Sequence, residues 1–252
     1  MSFQGGQQIN LPQLSLINKA VIIATVGLFL LSSILKASGV GINLVALLGL
    51  SAAGFFHGLV YQLITYPFIS VSLLGVVFNC LILWLLGSEL ERMWGPRRYI
   101  LLNLISLIGS GVIYLIVTLL FFSSGPVYLA PLYGLIGICN FQLLAYAIIY
   151  PDRIFSFMLI FPMRARYFCM ILIAMQLYMG FFSPGGNQAW GHLGGMLAGY
   201  IGMLAASSSY FKRLFDSSPN VRRKKSRRRG SAKLRIVPGD DDDDDERPPT
   251  YH

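Results

Sequence analysis

The sequence predicts an all-α membrane protein, a bundle of six transmembrane helices with a large interfacial loop between the first and second helices. Composition is the first observation behind this prediction. Of the 252 residues, 55% are hydrophobic and only 12% are charged, and the mean hydropathy is +0.62. A soluble core of this size needs a more polar surface, so the composition is that of a polytopic membrane protein.

The second observation is the length of the apolar stretches. Six of them are long enough, or nearly so, to cross a hydrocarbon core, which takes about 20 helical residues. These segments cover residues 15–35, 69–88, 99–122, 133–150, 167–183 and 188–207. The fourth and fifth segments are short, as suits helices that are surrounded by protein rather than by lipid.

Three regions are predicted along the chain. Residues 1–14 form a short cytoplasmic segment, residues 15–207 form the six-helix membrane domain, and residues 208–252 form a cytoplasmic tail. The N-terminal residues lack the basic region and the cleavage site of a signal peptide. We therefore expect the first apolar segment to remain in the mature protein.

The stretch from Ala37 to Pro67 is apolar, uncharged and rich in glycine. We interpret it as the large loop between the first two helices, with short helices that lie in the membrane interface or are partly embedded. A seventh crossing within this stretch is the alternative. We expect the lone His57 to be an interfacial residue rather than a ligand.

Basic residues predict the orientation in the membrane. They follow the second and fourth segments and are Arg92, Arg97, Arg98, Arg153, Arg164 and Arg166. A further basic run follows the sixth segment, whereas the loops after the first, third and fifth segments carry almost no charge. Because cytoplasmic loops carry the excess of Lys and Arg, both termini of this multi-pass protein are predicted to be cytoplasmic.

The tail is of low complexity. Clustered Lys and Arg occupy residues 211–235 and contribute much of the formal net charge of +9, and an acidic run follows at Asp240–Glu246. Blocks of like charge repel themselves and bury nothing, so the tail is predicted to be disordered. The basic run is expected to lie at an anionic lipid surface. Nucleic acid is not an expected partner, because no nucleic-acid fold accompanies the run.

The cysteines indicate neither a metal site nor a disulfide framework. Cys80, Cys139 and Cys169 all fall inside apolar runs and show no ligand spacing. We expect them to be small apolar side chains in helices, and we expect no cofactor and no metal.

The region from Tyr61 to Gly111 resembles the first loop and the second and third helices of the rhomboid superfamily. The family pattern has an aromatic-x-x-x-Thr-Tyr lead, a Phe-Asn pair and a Leu-Glu-Arg-x-x-Gly ending. The matching residues are Tyr61, Thr65 and Tyr66, then Phe78 and Asn79, then Leu90 to Gly95. Residues 150–168 resemble the family's link between the fourth and fifth helices, and Gly191 to Gly199 resemble its last helix. The resemblance covers roughly residues 15–207.

This resemblance implies a specific chemistry. Active rhomboids are intramembrane serine proteases, with a serine in a Gly-x-Ser-Gly turn at the top of the fourth helix and a histidine base in the sixth. His192 falls on the base position. Gly195 and Gly199 would let the sixth helix pack closely against the fourth. Glu91 and Arg92 are expected to cap and tie the cytoplasmic end of the second helix, and Trp94 and Tyr99 fit interfacial anchors.

The nucleophile position departs from the family pattern. In the best register Pro131 replaces the first glycine, Tyr133 replaces the serine and Gly134 matches the last glycine. A second register places Leu129 at the serine. A third uses Ser124, with Phe122 in place of the first glycine, although a Ser-Gly-Pro sequence is also typical of a loop.

The oxyanion donors depart as well. Active members carry a histidine four residues before the asparagine of the second helix, and here Gly75 precedes Asn79. A further family histidine aligns with Ser70. Loss of one oxyanion donor costs about 10²–10³ in rate.

Two functions of different classes follow from these departures. In the first, the chain is a proteolytically inactive rhomboid that binds transmembrane segments of client proteins, and His192 is a neutral imidazole that hydrogen-bonds within the bundle, with Tyr133 as a partner. In the second, it is an active intramembrane serine endopeptidase with a Ser124/His192 dyad. A transporter is a third alternative, but the sequence shows neither paired discontinuous helices nor an inverted repeat.

Overall fold

A computed structural model of the chain describes residues 13–39, 41–122, 126–157, 161–183 and 186–207. These residues all belong to one compact unit, Met1–Ser207. The predicted tail, residues 208–252, and most of the predicted N-terminal segment lie outside the described residues. The three predicted regions therefore stay a prediction.

The described part of the chain is mostly helical. In chain order the helices are α1 (Leu16–Ala37), α2 (Leu44–Leu48), α3 (Ala52–Phe56), α4 (Gln62–Thr65), α5 (Leu73–Ile82), α6 (Ser88–Trp94), α7 (Pro96–Phe121), α8 (Pro126–Leu129), α9 (Ile136–Ile149), α10 (Ala165–Phe182) and α11 (Gly186–Ser207). A 3₁₀ turn at Tyr66–Phe68 follows α4. A π-helical turn at Leu83–Gly87 joins α5 to α6 in one continuous helix.

Four helices among the described residues are long and apolar enough to cross a membrane: α1, the continuous helix Leu73–Trp94, α7 and α10. The predicted fourth segment is the shorter apolar helix α9, and the predicted sixth segment is α11. The fold is thus an all-α membrane bundle, as predicted, while the count of six crossings stays a prediction. The second helix begins at Leu73 rather than at residue 69, because Ser72 caps it by accepting a hydrogen bond from the Gly75 N–H at 3.3 Å.

The loop between α1 and α5 consists of short capped helices. Asn43 accepts hydrogen bonds from two backbone N–H groups at the start of α2, and Ser51 accepts one at the start of α3. The buried Gln62 accepts a hydrogen bond from the Ser51 N–H at 3.2 Å and donates to the Leu47 carbonyl at 3.2 Å. These polar contacts hold the short helices of the loop against one another.

Small residues allow α11 to pack tightly against its neighbours α7, α9 and α10. A Cβ atom placed on Gly195 would lie 2.9 Å from the Cβ of Ser110 in α7 and 3.3 Å from the Cα of Gly137 in α9. A Cβ on Gly199 would overlap the ring of Phe141 in α9. Close approach of backbones at small residues is the usual way in which helices associate in membranes.

A polar junction attaches α1 to the bundle. In α1, which is described throughout, the buried residues are Asn18 and Thr25. Asn18 accepts a hydrogen bond from the Tyr99 phenol at 2.6 Å, and Gln142 donates to the same phenol oxygen at 2.8 Å. Tyr99 is only 2% exposed, so the prediction that it is an interfacial anchor is wrong. Its hydroxyl can stay buried because Asn18 and Gln142 satisfy it.

A β-hairpin that the sequence analysis did not predict connects α9 to α10. Strand β1 (Ile154–Phe157) pairs antiparallel with strand β2 (Phe161–Arg164). Arg153, just before β1, pairs with Glu89 of α6 and donates to the Tyr146 hydroxyl of α9. The hydrogen bond to Glu89 raises the pKa of the Arg153 guanidinium. This pair ties the hairpin to the end of the second helix.

Candidate functional site

A cavity of about 410 Å³ lies between the start of α5, the segment before α9, and the facing sides of α10 and α11. Most of the residues that the sequence analysis singled out for chemistry line it. They are His192, Tyr133, Gly134, Gly75, Asn79 and Ser70. The structure thus brings together the predicted base, the residue at the serine position and the residues at the oxyanion positions.

The other singled-out residues do not line this cavity. Gly195 and Gly199 lie at contacts between helices. Glu91 lies at the end of the second helix that is far from the cavity, where it accepts a 3.5 Å hydrogen bond from Asn18 of α1. Arg92, next to Glu91, is exposed. Ser124 lies outside the described residues.

His192 lies in α11 with 5% of its surface exposed. Its Nδ1 atom is buried and has no hydrogen-bond partner among the described residues. In a Ser-His-Asp triad a third group orients the imidazole through that nitrogen, and the described part of the chain holds no such partner for this ring. His192, the predicted base, therefore has no group at Nδ1 among the described residues that would fix its tautomer.

Tyr133 belongs to a short segment that is held on both sides. Leu132 forms paired backbone hydrogen bonds with Leu50 of the first loop, at 2.9 and 2.7 Å. Gln188 of α11 donates to the Pro131 carbonyl at 2.8 Å. Tyr114 of α7 donates to the carbonyl of Ala130. These bonds hold the phenol of Tyr133 at the cavity wall.

The residue after Tyr133 fixes the local turn. Gly134 has φ = +90°, a conformation that residues with a Cβ rarely adopt. Its N–H donates to the Tyr66 carbonyl at 3.0 Å. This geometry explains why a glycine stands where the family pattern also has one, even though the serine before it is absent.

The α5 wall has room where the family carries a histidine. A Cβ atom on Gly75 would meet no atom closer than the Cβ of Ser72 at 3.5 Å, which is ordinary contact. Asn79, one turn further along α5, is 6% exposed. The hydroxyl of Ser70 donates to the Ser72 carbonyl at 3.4 Å, so it is used locally.

Two glutamines in the cavity wall were not predicted. Gln176 of α10 has a buried Oε1 atom without a hydrogen-bond partner among the described residues, and Gln188 lies at the start of α11. A glutamine inside an apolar segment was a usable signal, because polar groups at membrane depth usually have a purpose. His192 and Gln176, which both line the cavity, thus each carry one buried polar atom without a hydrogen-bond partner among the described residues.

The described lining offers hydrogen bonds rather than strong nucleophiles. Its hydroxyl groups belong to Tyr133, Ser70, Ser72 and Ser183. Ser183 is exposed at the C-terminal end of α10. Among the described residues no group of three His, Cys, Asp or Glu side chains could hold a metal ion.

The comparison with protein families agrees with this arrangement. The profile of the Rhomboid domain matches residues 57–209, more than half of the chain's 252 residues. This range contains both walls of the cavity, from α5 to α11. A search of curated proteins gave no significant match. On the matched profile and the membrane bundle, the chain belongs to the rhomboid family.

Proposed function

We propose that this rhomboid has no proteolytic activity and binds transmembrane segments of client membrane proteins. The observation that supports the proposal is Tyr133, which shares the cavity with His192 and is predicted to stand at the position of the family's serine. A phenoxide is a much better leaving group than an amide anion, since a phenol is by far the stronger acid. A tetrahedral adduct of Tyr133 with an amide would therefore collapse back to the amide rather than release the amine.

The loss of a second chemical group supports the same proposal. Gly75 provides no donor toward an oxyanion, so an adduct formed at this cavity would lose part of its stabilisation. Removing one such donor costs on the order of 10²–10³ in rate, and the missing nucleophile adds to that cost.

Access from the bilayer supports the binding role. The α5 side of the cavity carries exposed apolar residues at Leu73, Leu74 and Val77, and α10 exposes Met175 and Met179. A transmembrane helix that approaches between α5 and α10 meets apolar surface first and the polar cavity behind it. Methionine adapts its shape to different partners, which suits a site for several clients.

We also propose that the basic run of residues 211–235 binds the anionic surface of the cytoplasmic leaflet. Each Lys or Arg near such a surface contributes about 1 kcal/mol. A bilayer contact there would keep the domain's cytoplasmic end close to the lipid headgroups.

A serine-directed fluorophosphonate probe tests the absence of proteolysis. The full chain, an active rhomboid protease as positive control, and the variants Ser124→Ala, Ser183→Ala and His192→Ala are reconstituted and labelled in parallel. We expect no labelling of the wild-type chain. Labelling that Ser124→Ala and His192→Ala both abolish would establish the active endopeptidase instead.

Client binding is tested with a panel of fluorescent single-span peptides in liposomes that contain the donor-labelled chain. The variant Gly75→Trp fills the cavity, where the built Cβ meets only ordinary contacts. Gly27→Trp is the matched control, since a Cβ at Gly27 on α1 meets nothing within 4 Å. We expect saturable energy transfer that Gly75→Trp weakens and Gly27→Trp leaves unchanged. Equal transfer in all three proteins would contradict binding at this cavity.

A further inference from the structure

A second and larger concavity lies beside the C-terminal half of α1. This α1 groove has a volume of about 870 Å³ and is bounded by α1, by residues 41–45 and by Ser70 and Val71 ahead of α5. It adjoins the cavity described above only at Ser70 and Val71. Its volume falls in the range of about 300–1,000 Å³ that is typical of ligand sites.

The α1 groove is amphipathic. Apolar side chains form much of its wall, namely Phe29, Leu35, Ile42, Leu44 and Val45. Two of its polar side chains are satisfied locally, since Ser33 donates to the Phe29 carbonyl and Asn43 caps α2. Lys36 also lines the groove, and its ammonium group has no hydrogen bond or ion pair among the described residues.

No acidic residue is close in the chain to neutralise Lys36. The sequence contains no Asp or Glu before Glu89. Glu89 lies in the first turn of α6, at the far end of the second helix, where it pairs with Arg153. The groove therefore presents an apolar wall and one uncompensated positive charge.

The depth of Lys36 in the membrane identifies the complementary ligand. Helix α1 has 22 residues and so extends about 33 Å, close to the thickness of a hydrocarbon core of about 30 Å. Lys36 lies in its last turn, so a helix of this length that spans the core brings Lys36 to the level of the lipid headgroups. Phospholipids place a phosphate at that depth and an acyl chain directly below it.

We propose that the α1 groove binds one anionic phospholipid, with its phosphate on the Lys36 ammonium and an acyl chain against the apolar wall. A client helix could match the same charge only with an acidic residue at the same depth, whereas every phospholipid carries its phosphate there. This inference is independent of client binding at the cavity beside His192.

Native mass spectrometry of the full chain tests the proposal. The protein is released from nanodiscs that contain equal amounts of phosphatidylglycerol and phosphatidylcholine, and the retained lipid is identified by mass. We expect the wild-type chain to retain phosphatidylglycerol in preference to phosphatidylcholine. In Lys36→Gln the ratio of retained phosphatidylglycerol to phosphatidylcholine should fall about fivefold, which is the effect of one basic residue near the lipid surface. Lys19→Gln, at the other end of α1, is the matched control and should keep the preference.

A second variant separates the groove from general surface charge. Ser32→Trp places a large side chain in the groove, where Ser32 is half-buried, and should lower retention of both lipids while Lys19→Gln does not. Equal loss of preference in Lys36→Gln and Lys19→Gln would overturn the proposal, as would full retention in Ser32→Trp. A benzophenone side chain at Ser33 should crosslink lipid, and a crosslink to another polypeptide instead would overturn the choice of ligand.

Discussion

Gly195 lies where three helices meet, and the absence of its side chain is what allows them to approach. A Cβ atom there would stand 3.1 Å from the Ser106 carbonyl oxygen and 3.3 Å from the Cα of Gly137. Both neighbours are backbone atoms of long helices, so neither can turn aside as a side chain would. The contact is therefore a strict steric limit at the centre of the bundle.

Replacing Gly195 with valine should lower the stability of the domain by about 1–3 kcal/mol, the usual cost of overpacking a core. Thermal unfolding of the purified protein in detergent measures the change. Gly27→Val is the control, because it adds the same β-branched side chain to a helix where nothing lies within 4 Å of the new Cβ. Similar unfolding temperatures for the two variants would mean that α11 does not pack as described.

The predicted register, with Tyr133 at the serine position and His192 at the base position, can be tested directly. Because both line one cavity, Tyr133→Ser should place a hydroxyl near the imidazole and give fluorophosphonate labelling that the wild-type chain lacks. The double variant Tyr133→Ser, His192→Ala should lose that labelling. Labelling that persists without His192 would show that the histidine does not act as the base at this site.

At the scale of elements, α1 differs from the central helices in how it is attached. Helix α11 packs through glycine contacts along its length, whereas α1 buries only Asn18 and Thr25. A Cβ on Gly87, in the π-helical turn of the second helix, would lie 2.6 Å from the Tyr99 hydroxyl. The glycine leaves room for the side-chain amides of Asn18 and Gln142 around that hydroxyl. We therefore expect this polar junction to contribute much of the stability with which α1 is attached to the bundle.

The variant Tyr99→Phe should loosen α1 selectively. It removes the hydroxyl that bonds to Asn18 and Gln142, and leaving buried polar groups unpaired costs about 1–3 kcal/mol. Hydrogen exchange followed by mass spectrometry should show lower protection of α1 amides and unchanged protection of α11. The control is Tyr178→Phe, at a tyrosine that is 66% exposed on α10. A uniform loss of protection would contradict a local role for the junction.

The sequence predicted the long helices well, because a run of apolar residues of membrane length is a strong local signal. It did not predict the π-helical turn, the β-hairpin or the burial of Tyr99, since each depends on partners far along the chain. Tyr99 meets Asn18 and Gln142, and Arg153 meets Glu89. An interfacial anchor and a satisfied buried tyrosine look alike in sequence, because both follow a cluster of basic residues at a helix start.

The residues of the candidate site could be predicted from the sequence only through the resemblance to the rhomboid family. It placed His192, Tyr133, Gly75 and Asn79 together, and these residues line one cavity. Gln176 was missed because a single amide in an apolar helix carries no spacing that identifies its neighbours. The assignment of Tyr133 as an inactivating replacement stays a prediction, which the labelling experiments test.

After Lys36, the charged residues of the membrane domain are confined to two short regions of the sequence. Between that residue and Ser207 every Asp, Glu, Lys and Arg lies at residues 89–98 or 152–166. Glu89 and Arg153 join these two regions directly. Because charged groups are costly at membrane depth, both regions should occupy one membrane surface, and their Lys and Arg excess predicts that this surface is the cytoplasmic one.

Cysteine labelling in sealed vesicles of known orientation tests this topology. The native cysteines, all half-buried or buried, are first replaced with alanine. An impermeant maleimide should then label His57→Cys, exposed in the first loop, from the non-cytoplasmic side only. Arg97→Cys and the tail variant Tyr251→Cys should react only from the cytoplasmic side. A seventh crossing between α1 and residue 57 would instead put His57→Cys on the cytoplasmic side and Arg97→Cys on the opposite side, because one further span moves every later loop across the membrane. Labelling of both variants from the same side would contradict the crossing by the second helix.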